Sequence, residues 1–585
     1  MKLSSVIIAV LLCLTHFVAD AATRYVDASP HTPVSPYTSW ATAATNIQDA
    51  INVANFGETI LVNDGVYKFG GISSARINSV NKFPVIRSVN GPDVTIVRGQ
   101  SGYMCANLTD GTVLSGFTLM NSTNTSSAGG VFCATTNCLV TNCIIANCSG
   151  LTAGGIMRGT VIDCVLTNNS GRVGGALSNI LINCTIISNH GSFGGGAASA
   201  SLSNCLLVAN DCSGSGSYAG GALQSVLISC TVSNNYAFGG NSFGGGGGLN
   251  LCIARDSLIS SNRIFGSSGG GTYFCGLSNC VVQNNYSGAS GGGGVYGGSL
   301  TNCVIANNAT DQFGRQGGGV ANATLNHCLV TGNAATFGAG VASGTGNNCT
   351  IANNAAIGSG SAAGAFNSIF KNSIIYFNQA FTNANISGCA LTNCCTPSLA
   401  YPKIANSFTN EPSFVDANGD FHLQYDSPCI NAGNNSFASN TNDLDGNPRI
   451  VGGTVDVGAY EFQAPASTLS YAWLLQYGLP TDGSVDDTDD DGDGMTTRQE
   501  WITGTDPTDA ASLLQMISAT PTNNFSRVTV SWQSVGGKNY LLQRSANLSA
   551  FSTIQSNLVG AAGTTSYADT TTTNSTKFFY RVAVQ

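Results

Sequence analysis

Short runs of alternating apolar and polar residues recur along the chain between about residues 128 and 395. In most runs a cysteine is followed two residues later by an aliphatic residue and five residues later by an asparagine, as in Cys184-Thr185-Ile186 and Asn189. Alternation with a period of two predicts a β-strand with Cys and Ile on its buried face. No helical periodicity separates the runs, so helical and leucine-rich solenoids are excluded.

The pattern repeats with a mean spacing of 22.8 residues over 12 copies and aligns three files of residues. The cysteine file is Cys143, Cys164, Cys184, Cys205, Cys230, Cys280, Cys303, Cys328, Cys349 and Cys394, with Ser257 and Ser373 in two copies. The glycine file, nine residues before most of these positions, is Gly155, Gly175, Gly196, Gly221, Gly248, Gly271, Gly294, Gly319, Gly340 and Gly364. The asparagine file is Asn169, Asn189, Asn210, Asn235, Asn262, Asn285, Asn308, Asn333, Asn354 and Asn378. A repeat of about 20–50 residues indicates stacked units that cannot bury their apolar sides alone.

Strands this short, joined by turns rich in Gly and Asn, predict a parallel β-helix. Glycine adopts positive φ freely and asparagine tolerates the left-handed region, and stacked Asn side chains can also form an interior hydrogen-bonded ladder. The pattern resembles the right-handed, pectate-lyase-like β-helices of secreted bacterial proteins over about residues 24–463. Right-handedness is implied by this resemblance.

Both ends of the repeat carry further signals. An amphipathic helix is predicted around Asn46–Ala54, where it would cap the first turn, and Gly57 would end it. The strand Thr59–Val62 follows. The segment from Asp443 to Glu461 resembles the closing segment of many bacterial β-helices.

Charge and composition exclude several classes of protein. Charged residues are only 9% of the chain, a share that would suit a membrane protein. That class is excluded because no apolar run after the first 20 residues approaches the ~18–20 residues that span a bilayer. The net charge of −9 comes from one segment, because ten acidic residues and one basic residue lie between Asp482 and Asp509. The rest of the chain has 20 acidic and 20 basic residues. Without a basic patch, nucleic-acid binding has no electrostatic support.

The first residues predict a signal peptide over residues 1–21. Lys2 precedes the apolar stretch Val6–Leu14, and Ala19-Asp20-Ala21 offers small residues for cleavage. We therefore expect a protein secreted or displayed at the surface of a bacterium, monomeric and with no transmembrane span after signal removal.

Export permits disulfides, but the cysteine file favours free thiols. Parallel Cβ vectors in stacked turns hold the Cβ atoms wider apart than the ~3.8 Å that a bridge prefers. A metal array is disfavoured because one Cys per turn lacks clustered ligands. For pairs outside the file, such as Cys133 with Cys138, the sequence leaves open whether they form a disulfide.

The variable stretches between each Asn and the next Gly are predicted to be loops along one edge, and insertions on one face often mark the binding side. They contain a row of aromatic residues: Phe193, Tyr218, Tyr236, Phe238, Phe243, Phe265, Tyr286, Phe313 and Phe337. We predict that the Phe rings fold back over the turns and seal the core. We predict that Tyr218, Tyr236 and Tyr286 are exposed, where they could stack on sugar rings or meet a partner.

The residue directly after each Asn gives a second alignment. Its members in successive turns are Ser170, His190, Asp211, Tyr236, Arg263 and Tyr286. This alignment predicts His190 beside Asp211, and Arg263 beside Tyr236 and Tyr286. The alternative interpretation is a set of scattered polar turn residues.

A hydrolase with paired carboxylates has no evident site on the β-helix. The stretch 128–395 has no Glu, and its four acids are Asp163, Asp211, Asp256 and Asp311. A metal-independent lyase with Tyr236, Tyr286 or His190 as base and Arg263 as charge neutraliser is the enzymatic alternative. We assign no catalytic residue and take Tyr218, Tyr236, Arg263 and Tyr286 as ligand-binding candidates.

Residues 489–500 fit the twelve-residue calcium loop D-x-D-x-D-G-x5-E. The predicted calcium ligands are the side chains of Asp489, Asp491, Asp493 and Glu500, the carbonyl of Met495, and Thr497 directly or through water. The amphipathic segment containing Tyr471, Leu474, Leu475 and Leu479 precedes the loop, and Trp501 and Ile502 follow it. The segment is similar to EF-hand, dockerin and thrombospondin type 3 calcium repeats, although the second copy that a dockerin needs is absent.

The C-terminal stretch alternates strands with turns. The predicted strands are Val528–Gln533, Tyr540–Ser545, Thr564–Tyr567 and Phe578–Val584, in a pattern that resembles a fibronectin type III-like β-sandwich. The predicted organisation is a signal peptide (1–21), a cap with the first turns (22–125), regular turns (126–400), the end of the β-helix (401–463), a calcium-binding helix-loop-helix segment (464–511) and the sandwich (512–585).

These features predict a mainly β protein, a right-handed parallel β-helix solenoid with a calcium segment and a small sandwich. We expect it to bind an extracellular polysaccharide or a surface partner in adhesion or recognition. The alternative is a polysaccharide lyase acting on an acidic glycan, and a third interpretation is a purely structural surface spacer.

Overall fold

The computed structural model describes residues 22–79, 82–214, 218–239, 245–288, 291–311, 315–382, 384–399, 404–522, 526–572 and 577–585. The predicted signal peptide, Phe243 and Phe313 lie outside these residues. The chain divides into two compact units. The first unit holds Met1–Phe370, Ile375–Leu391 and Tyr401–Ile404, and the second holds Lys371–Ile374, Thr392–Ala400 and Ala405–Gln585.

The predicted fold class is confirmed: the chain is mainly β and forms a parallel β-helix of about 14 turns, with a small antiparallel region at the C-terminus. Three parallel sheets build the β-helix. The first sheet supplies two strands to most turns and comprises Thr23–Val26, Thr59–Val62, Ala75–Asn78, Val85–Ser88, Met104–Leu108, Val113–Ser115, Val131–Cys133, Leu139–Thr141, Ile156–Met157, Thr160–Ile162, Ala176–Leu177, Ile180–Ile182, Ala197–Ala198, Ser201–Ser203, Ala222–Leu223, Val226–Ile228, Leu249–Asn250, Ile253–Arg255, Thr272–Ser278, Val295–Thr301, Val320–Ala321, Thr324–Asn326, Val341–Ala342, Thr345–Asn347, Ala365–Phe366, Ile369–Lys371, Ile386–Ser387, Ala390–Thr392 and Ile404–Ala405.

The second and third sheets supply one strand each to a turn. The second sheet comprises Gly65–Tyr67, Thr95–Arg98, Thr118–Met120, Ile144–Ala146, Val165–Thr167, Thr185–Ile187, Leu206–Val208, Thr231–Ser233, Leu258–Ser260, Val281–Gln283, Val304–Ala306, Leu329–Thr331, Thr350–Ala352 and Ile374–Tyr376. The third sheet comprises Thr123–Asn124, Ser149–Ala153, Ser170–Val173, His190–Gly194, Asp211–Gly214, Tyr236–Gly239, Arg263–Phe265, Tyr286–Ser287, Ala309–Thr310, Ala334–Phe337 and Ala355–Ser361.

The predicted asparagine ladder is present inside the β-helix. All ten members of the file are buried. Asn262 is representative: its Nδ2 donates to Oδ1 of Asn285 at 3.0 Å and to the carbonyl oxygen of Val232 at 2.9 Å. Each side chain therefore links one turn to the next in a site that excludes water, where an unpaired amide would be costly.

The glycine file was expected to supply turn residues with positive φ, but none of its members has positive φ. The left-handed positions are instead the residues just before the inward-facing Cys and Asn, such as Asn183 (φ 54°) and Ser188 (φ 56°). A Cβ on Gly248 would lie 2.8 Å from the carbonyl oxygen of Gly271 and 2.9 Å from the side chain of Asn262. Glycine is therefore required here by the close approach of adjacent turns.

Cysteines fill the core as free thiols. All 20 cysteines of the described residues are buried and outside any disulfide, including Cys133 and Cys138. The alternation is also as predicted, since Cys184 and Ile186 are both buried. The strand itself begins one residue after the cysteine, at Thr185.

The cap helix spans Ile47–Val53, with the Asn46 side chain accepting a hydrogen bond from the amide of Asp49 at 3.0 Å. Its buried residues include Ile47, Ala50 and Ile51, and the strand Thr59–Val62 follows within the predicted bounds. A short 3-10 helix, Trp40–Thr42, precedes it. No helix among the described residues is long and apolar enough to cross a membrane.

The second unit contains a buried cluster of charged groups in the predicted closing segment. Asp443, Arg449, Asp456 and Glu461 are each almost fully buried. The carboxylates of Asp456 and Glu461 accept backbone amide hydrogen bonds, and Nη1 of Arg449 lies 3.8 Å from Oε2 of Glu461. Burial raises the pKa of both Asp456 and Glu461.

The rest of the second unit has short helices and antiparallel strands. The helices are the 3-10 helix Asn435–Phe437 and the α-helices Tyr471–Gln476 and Thr497–Thr503. The strands are a hairpin, Phe414–Asp416 with Asp420–Leu423, and two three-stranded sheets: Met516–Pro521, Val528–Ser534 and Gly563–Asp569 in one, and Asn539–Ser545, Ser552–Val559 and Phe579–Val584 in the other. The core of these sheets contains Val530, Trp532, Tyr540 and Leu542. All four predicted strands are present, and the likeness to fibronectin type III stays a prediction.

Candidate functional site

The stretches after the ladder asparagines begin as strands of the third sheet, and the prediction that they are loops is wrong in this respect. Cys212, Ala237 and Ile264 point inward and pack together. Residues on either side of them point outward, since successive side chains of a strand alternate between faces. The third sheet therefore presents an ordered outer face to solvent.

The second alignment is confirmed as a register of the third sheet. The paired residues in successive turns are Ser170, His190, Asp211, Tyr236, Arg263 and Tyr286. Nδ1 of His190 donates to Oδ2 of Asp211 at 2.6 Å, and both side chains are about half exposed. The repeat spacing alone therefore located these neighbours.

An aromatic and cationic cluster lies on the same outer face, and we call it the aromatic face. It consists of Tyr236, Phe238, Arg263, Phe265 and Tyr286. The ring centroid of Phe265 lies 6.1 Å from that of Tyr236 and 5.8 Å from that of Tyr286. The guanidinium of Arg263 lies 5.0 Å from the centroid of Phe265 and 4.8 Å from that of Tyr286.

The guanidinium of Arg263 is exposed and makes no ion pair with a carboxylate within the described part of the chain. Its distances to the two ring centroids are those of cation–π contacts, which attract the guanidinium to the rings. An exposed guanidinium can form two parallel hydrogen bonds to a carboxylate. The aromatic face therefore combines apolar ring surface with one unpaired cation.

The exposure of individual rings departs from the prediction. Phe238 is 50% exposed because it points outward two residues after Tyr236. Tyr218 is half-buried and packs with Phe193 over Ala198 and Leu223, so it was wrongly expected to be exposed.

The remaining rings are intermediate. Tyr236 and Tyr286 are half-buried rather than fully exposed, and so are Phe265 and Phe337. Phe238 and Phe265 were missed as site residues, although the period of two from Tyr236 and Arg263 would have placed them on the outer face.

The predicted calcium loop lies in the second unit, and the helices Tyr471–Gln476 and Thr497–Thr503 are its neighbours in the chain. Asp489, Asp491 and Asp493 each offer a carboxylate oxygen, and these oxygens lie within 4.8 Å of one another. Asp489 also accepts amide hydrogen bonds from Gly492 and Gly494 at 2.9 and 3.0 Å, which close the turn. Of the predicted preceding apolar residues, Tyr471, Leu474 and Leu479 are buried, whereas Leu475 is 40% exposed.

Glu500 completes the acidic group from the helix that follows the loop. Its side chain is fully buried, and neither of its oxygens has a hydrogen-bond donor among the described residues. One oxygen each of Asp491 and Asp493 is in the same state. Burial, and then the carboxylates of Asp491 and Asp493, raise the pKa of Glu500 to about 7.

The donor set of this loop fits a hard divalent cation. Buried anionic oxygens without donors are unfavourable unless a cation compensates them, and calcium prefers carboxylate and carbonyl oxygens. The Met495 amide donates to Asp493 at 2.7 Å, so the loop turns there as the motif requires. The hydroxyl of Thr497 donates to the carbonyl oxygen of Thr488 at 3.3 Å.

Comparisons with known proteins show a likeness of fold alone. No family model and no curated protein matches the chain. Among solved structures, a pectate lyase, Pel9A, is 16% identical with a TM-score of 0.25 and covers 75% of this chain and 96% of its own. The Azotobacter vinelandii mannuronan C-5 epimerase AlgE6 A-module is 12% identical (TM-score 0.26; 59% and 94% covered). Tailspike protein 3 of bacteriophage CBA120 is 11% identical (TM-score 0.29; 66% and 60% covered).

Proposed function

We propose that the aromatic face binds an extracellular polysaccharide that carries carboxylate groups. The observation that carries this proposal is the run of outward-facing rings across three neighbouring strands, with the unpaired guanidinium of Arg263 held against two of them. Aromatic rings offer a rigid apolar surface for the C–H faces of sugar rings. Arg263 supplies the charge-assisted hydrogen bonds that select a carboxylate.

Binding without turnover is the simpler function for this surface. The five residues of the aromatic face include no carboxylate, and the acid nearest in register, Asp211, is hydrogen-bonded to His190. The proposed setting is outside the cell or on its surface, in keeping with the predicted signal peptide. Fixed rings on neighbouring strands suit a repeating ligand, since one sugar after another meets a similar surface.

We also propose that the loop from Asp489 to Glu500 binds calcium. The four donorless carboxylate oxygens of Asp491, Asp493 and Glu500 support this proposal. The side chains of Asp489, Asp491, Asp493 and Glu500 and the carbonyl of Met495 would hold the ion. Its role is structural, because neutralising the buried carboxylates stabilises the fold of this segment.

The second candidate function is a polysaccharide lyase at the same face. The 4.8 Å separation between the Arg263 guanidinium and the Tyr286 ring favours it, since a lyase needs a base near a group that neutralises the uronate carboxylate. Tyr236, Tyr286 or His190 would remove the proton next to that carboxylate.

Retention on immobilised polygalacturonate tests binding. We expect Arg263→Ala to weaken retention about tenfold, the effect of losing a charge-assisted hydrogen-bonded contact. Arg255→Ala is the matched control, because Arg255 is also exposed on a strand of the β-helix but lies on the first sheet. Equal retention of the wild type and Arg263→Ala would contradict the proposal.

Ultraviolet absorbance of unsaturated products separates the two candidates. A binding protein releases none from polygalacturonate, whereas a lyase releases them steadily. If products appear, the double variant Tyr236→Phe/Tyr286→Phe should stop their release where a tyrosine is the base, and His190→Ala should stop it where the histidine is. The double variant should keep retention, because the rings remain and only the hydroxyl groups are lost.

A further inference from the structure

A second site lies within the second unit, in an open cleft of about 700 Å³. We call it the tryptophan cleft. Its lining includes Asn393, Asn431, Trp473, Tyr477, Trp501 and Lys538. Neither the calcium loop nor the aromatic face includes these residues.

The aromatic wall of the tryptophan cleft is fixed in place by the core beneath it. Trp473, Tyr477 and Trp501 pack against the buried side chains of Leu469 and Leu474. Trp473 and Tyr477 also contact each other edge to face, with centroids 5.2 Å apart. Rings held this way lose little conformational freedom when a ligand arrives, which favours binding.

Two asparagines of the lining have a buried side-chain oxygen with no hydrogen-bond donor among the residues that the structure describes. Asn431 is 1% exposed; its Nδ2 donates to the carbonyl oxygen of Ser467 at 2.8 Å, but its Oδ1 accepts nothing. Oδ1 of Asn393 is in the same state. An acceptor left unsatisfied in a buried position is costly, so a ligand that donates hydrogen bonds would be stabilised there.

The tryptophan cleft offers little charge to a ligand. Within the part of the chain that the structure describes, Lys538 is the one charged residue of the lining, and its Nζ donates to the carbonyl oxygen of Ile502 at 2.9 Å. Burial lowers the pKa of Lys538. Aromatic faces, acceptors without donors and a single ammonium already hydrogen-bonded within the protein match a ligand that has apolar faces and hydroxyl groups.

We propose that the tryptophan cleft binds a short neutral saccharide. The C–H faces of its sugar rings stack on the tryptophan and tyrosine rings, and its hydroxyls donate to Oδ1 of Asn393 and Asn431. The volume accommodates a few sugar residues. This site is separate from the aromatic face and takes a ligand of different charge, so either proposal can fail without the other.

Calorimetric titration of the full chain with neutral tetrasaccharides of glucose, xylose, mannose and galactose tests this inference, alongside tri-galacturonate. We expect at least one neutral tetrasaccharide to bind and to change the intrinsic tryptophan fluorescence. Asn393→Gly should weaken that binding about tenfold by removing one acceptor, and glycine suits the φ of 52° at this position. Trp473→Ala should abolish it.

The matched control is Asn322→Gly, which replaces another left-handed asparagine (φ 56°) in a turn of the first unit. It should bind as the wild type does. Three results would each overturn the inference: no neutral tetrasaccharide binds, Asn393→Gly binds with unchanged affinity, or tri-galacturonate binds more tightly than every neutral probe. Since Asn393→Gly removes one small side chain at a backbone conformation that glycine adopts readily, it keeps the test decisive if Trp473→Ala fails to fold.

Discussion

Buried asparagine side chains in this protein satisfy the hydrogen-bonding groups of the turns stacked on either side of them. Asn262 serves both neighbours: its Oδ1 accepts from the side chain of Asn235 and its Nδ2 donates to Asn285. The spacing of asparagines predicted this ladder because an identical polar group inside every turn is stable only if each copy satisfies the next. The exposure of the rings was not predicted correctly. Tyr218 packs against Phe193, and the spacing of residues along the chain does not indicate such a contact.

At the same scale, Glu500→Gln should remove the stabilisation of the protein by calcium. When a chelator has removed calcium, the variant should melt at the same temperature as the wild type or higher. The neutral amide of the variant is not repelled by the carboxylates of Asp491 and Asp493, whereas the Glu500 carboxylate is. In excess calcium only the wild type should gain, by about 2.7 kcal/mol at a concentration 100 times the Kd. Thermal melting with and without calcium measures both effects.

Glu411→Gln is the control for Glu500→Gln, since Glu411 is an exposed acid of the same unit. It should respond to calcium as the wild type does. A full calcium response in Glu500→Gln would contradict the assignment of this loop.

At the scale of elements, alternation predicted the strands of the second sheet and periodicity predicted the helix Ile47–Val53. The third sheet was missed because its strands are short and glycine-rich, as in His190–Gly194, and they read locally as loops. They become strands only when neighbouring turns pair with them. The register of the candidate site was still predictable, since Asn189 fixes the position of His190 in its turn.

Gly248→Ala tests whether turn contacts, rather than backbone torsion, explain the glycine file. The new Cβ would lie 2.8 Å from the carbonyl oxygen of Gly271, so we expect a loss of about 1–3 kcal/mol from overpacking. Gly276→Ala is the matched control, because its nearest contact would be 3.9 Å away. Equal melting temperatures for the two variants would contradict this explanation.

At the scale of the whole molecule, stability should fall as the pH rises from ~5 to ~8. Below the ordinary carboxyl pKa, folded and unfolded chains both hold the protons of Asp456 and Glu461. As the pH rises, the unfolded chain releases them while the folded chain retains them, because burial raises both pKa values. A carboxyl group whose pKa is about one unit higher in the folded protein than in the unfolded chain lowers the free energy of unfolding at high pH by about 1.4 kcal/mol.

Thermal melting across this pH range, in excess calcium to keep the loop from Asp489 to Glu500 occupied, measures the trend. Added salt should leave it largely unchanged, since buried groups are weakly screened. A melting temperature that stays level or rises between these pH values would show that the two carboxyls are ionised in the folded protein.

Hydroxyl-radical footprinting with mass spectrometry, with and without polygalacturonate, tests most directly whether the outer face of the third sheet is the binding surface. Bound polysaccharide should lower the modification of Tyr236, Phe238, Phe265 and Tyr286, and leave Phe69 and Phe381, exposed by 74% and 82%, unchanged. Unchanged modification of the four rings while polysaccharide is bound would contradict the account.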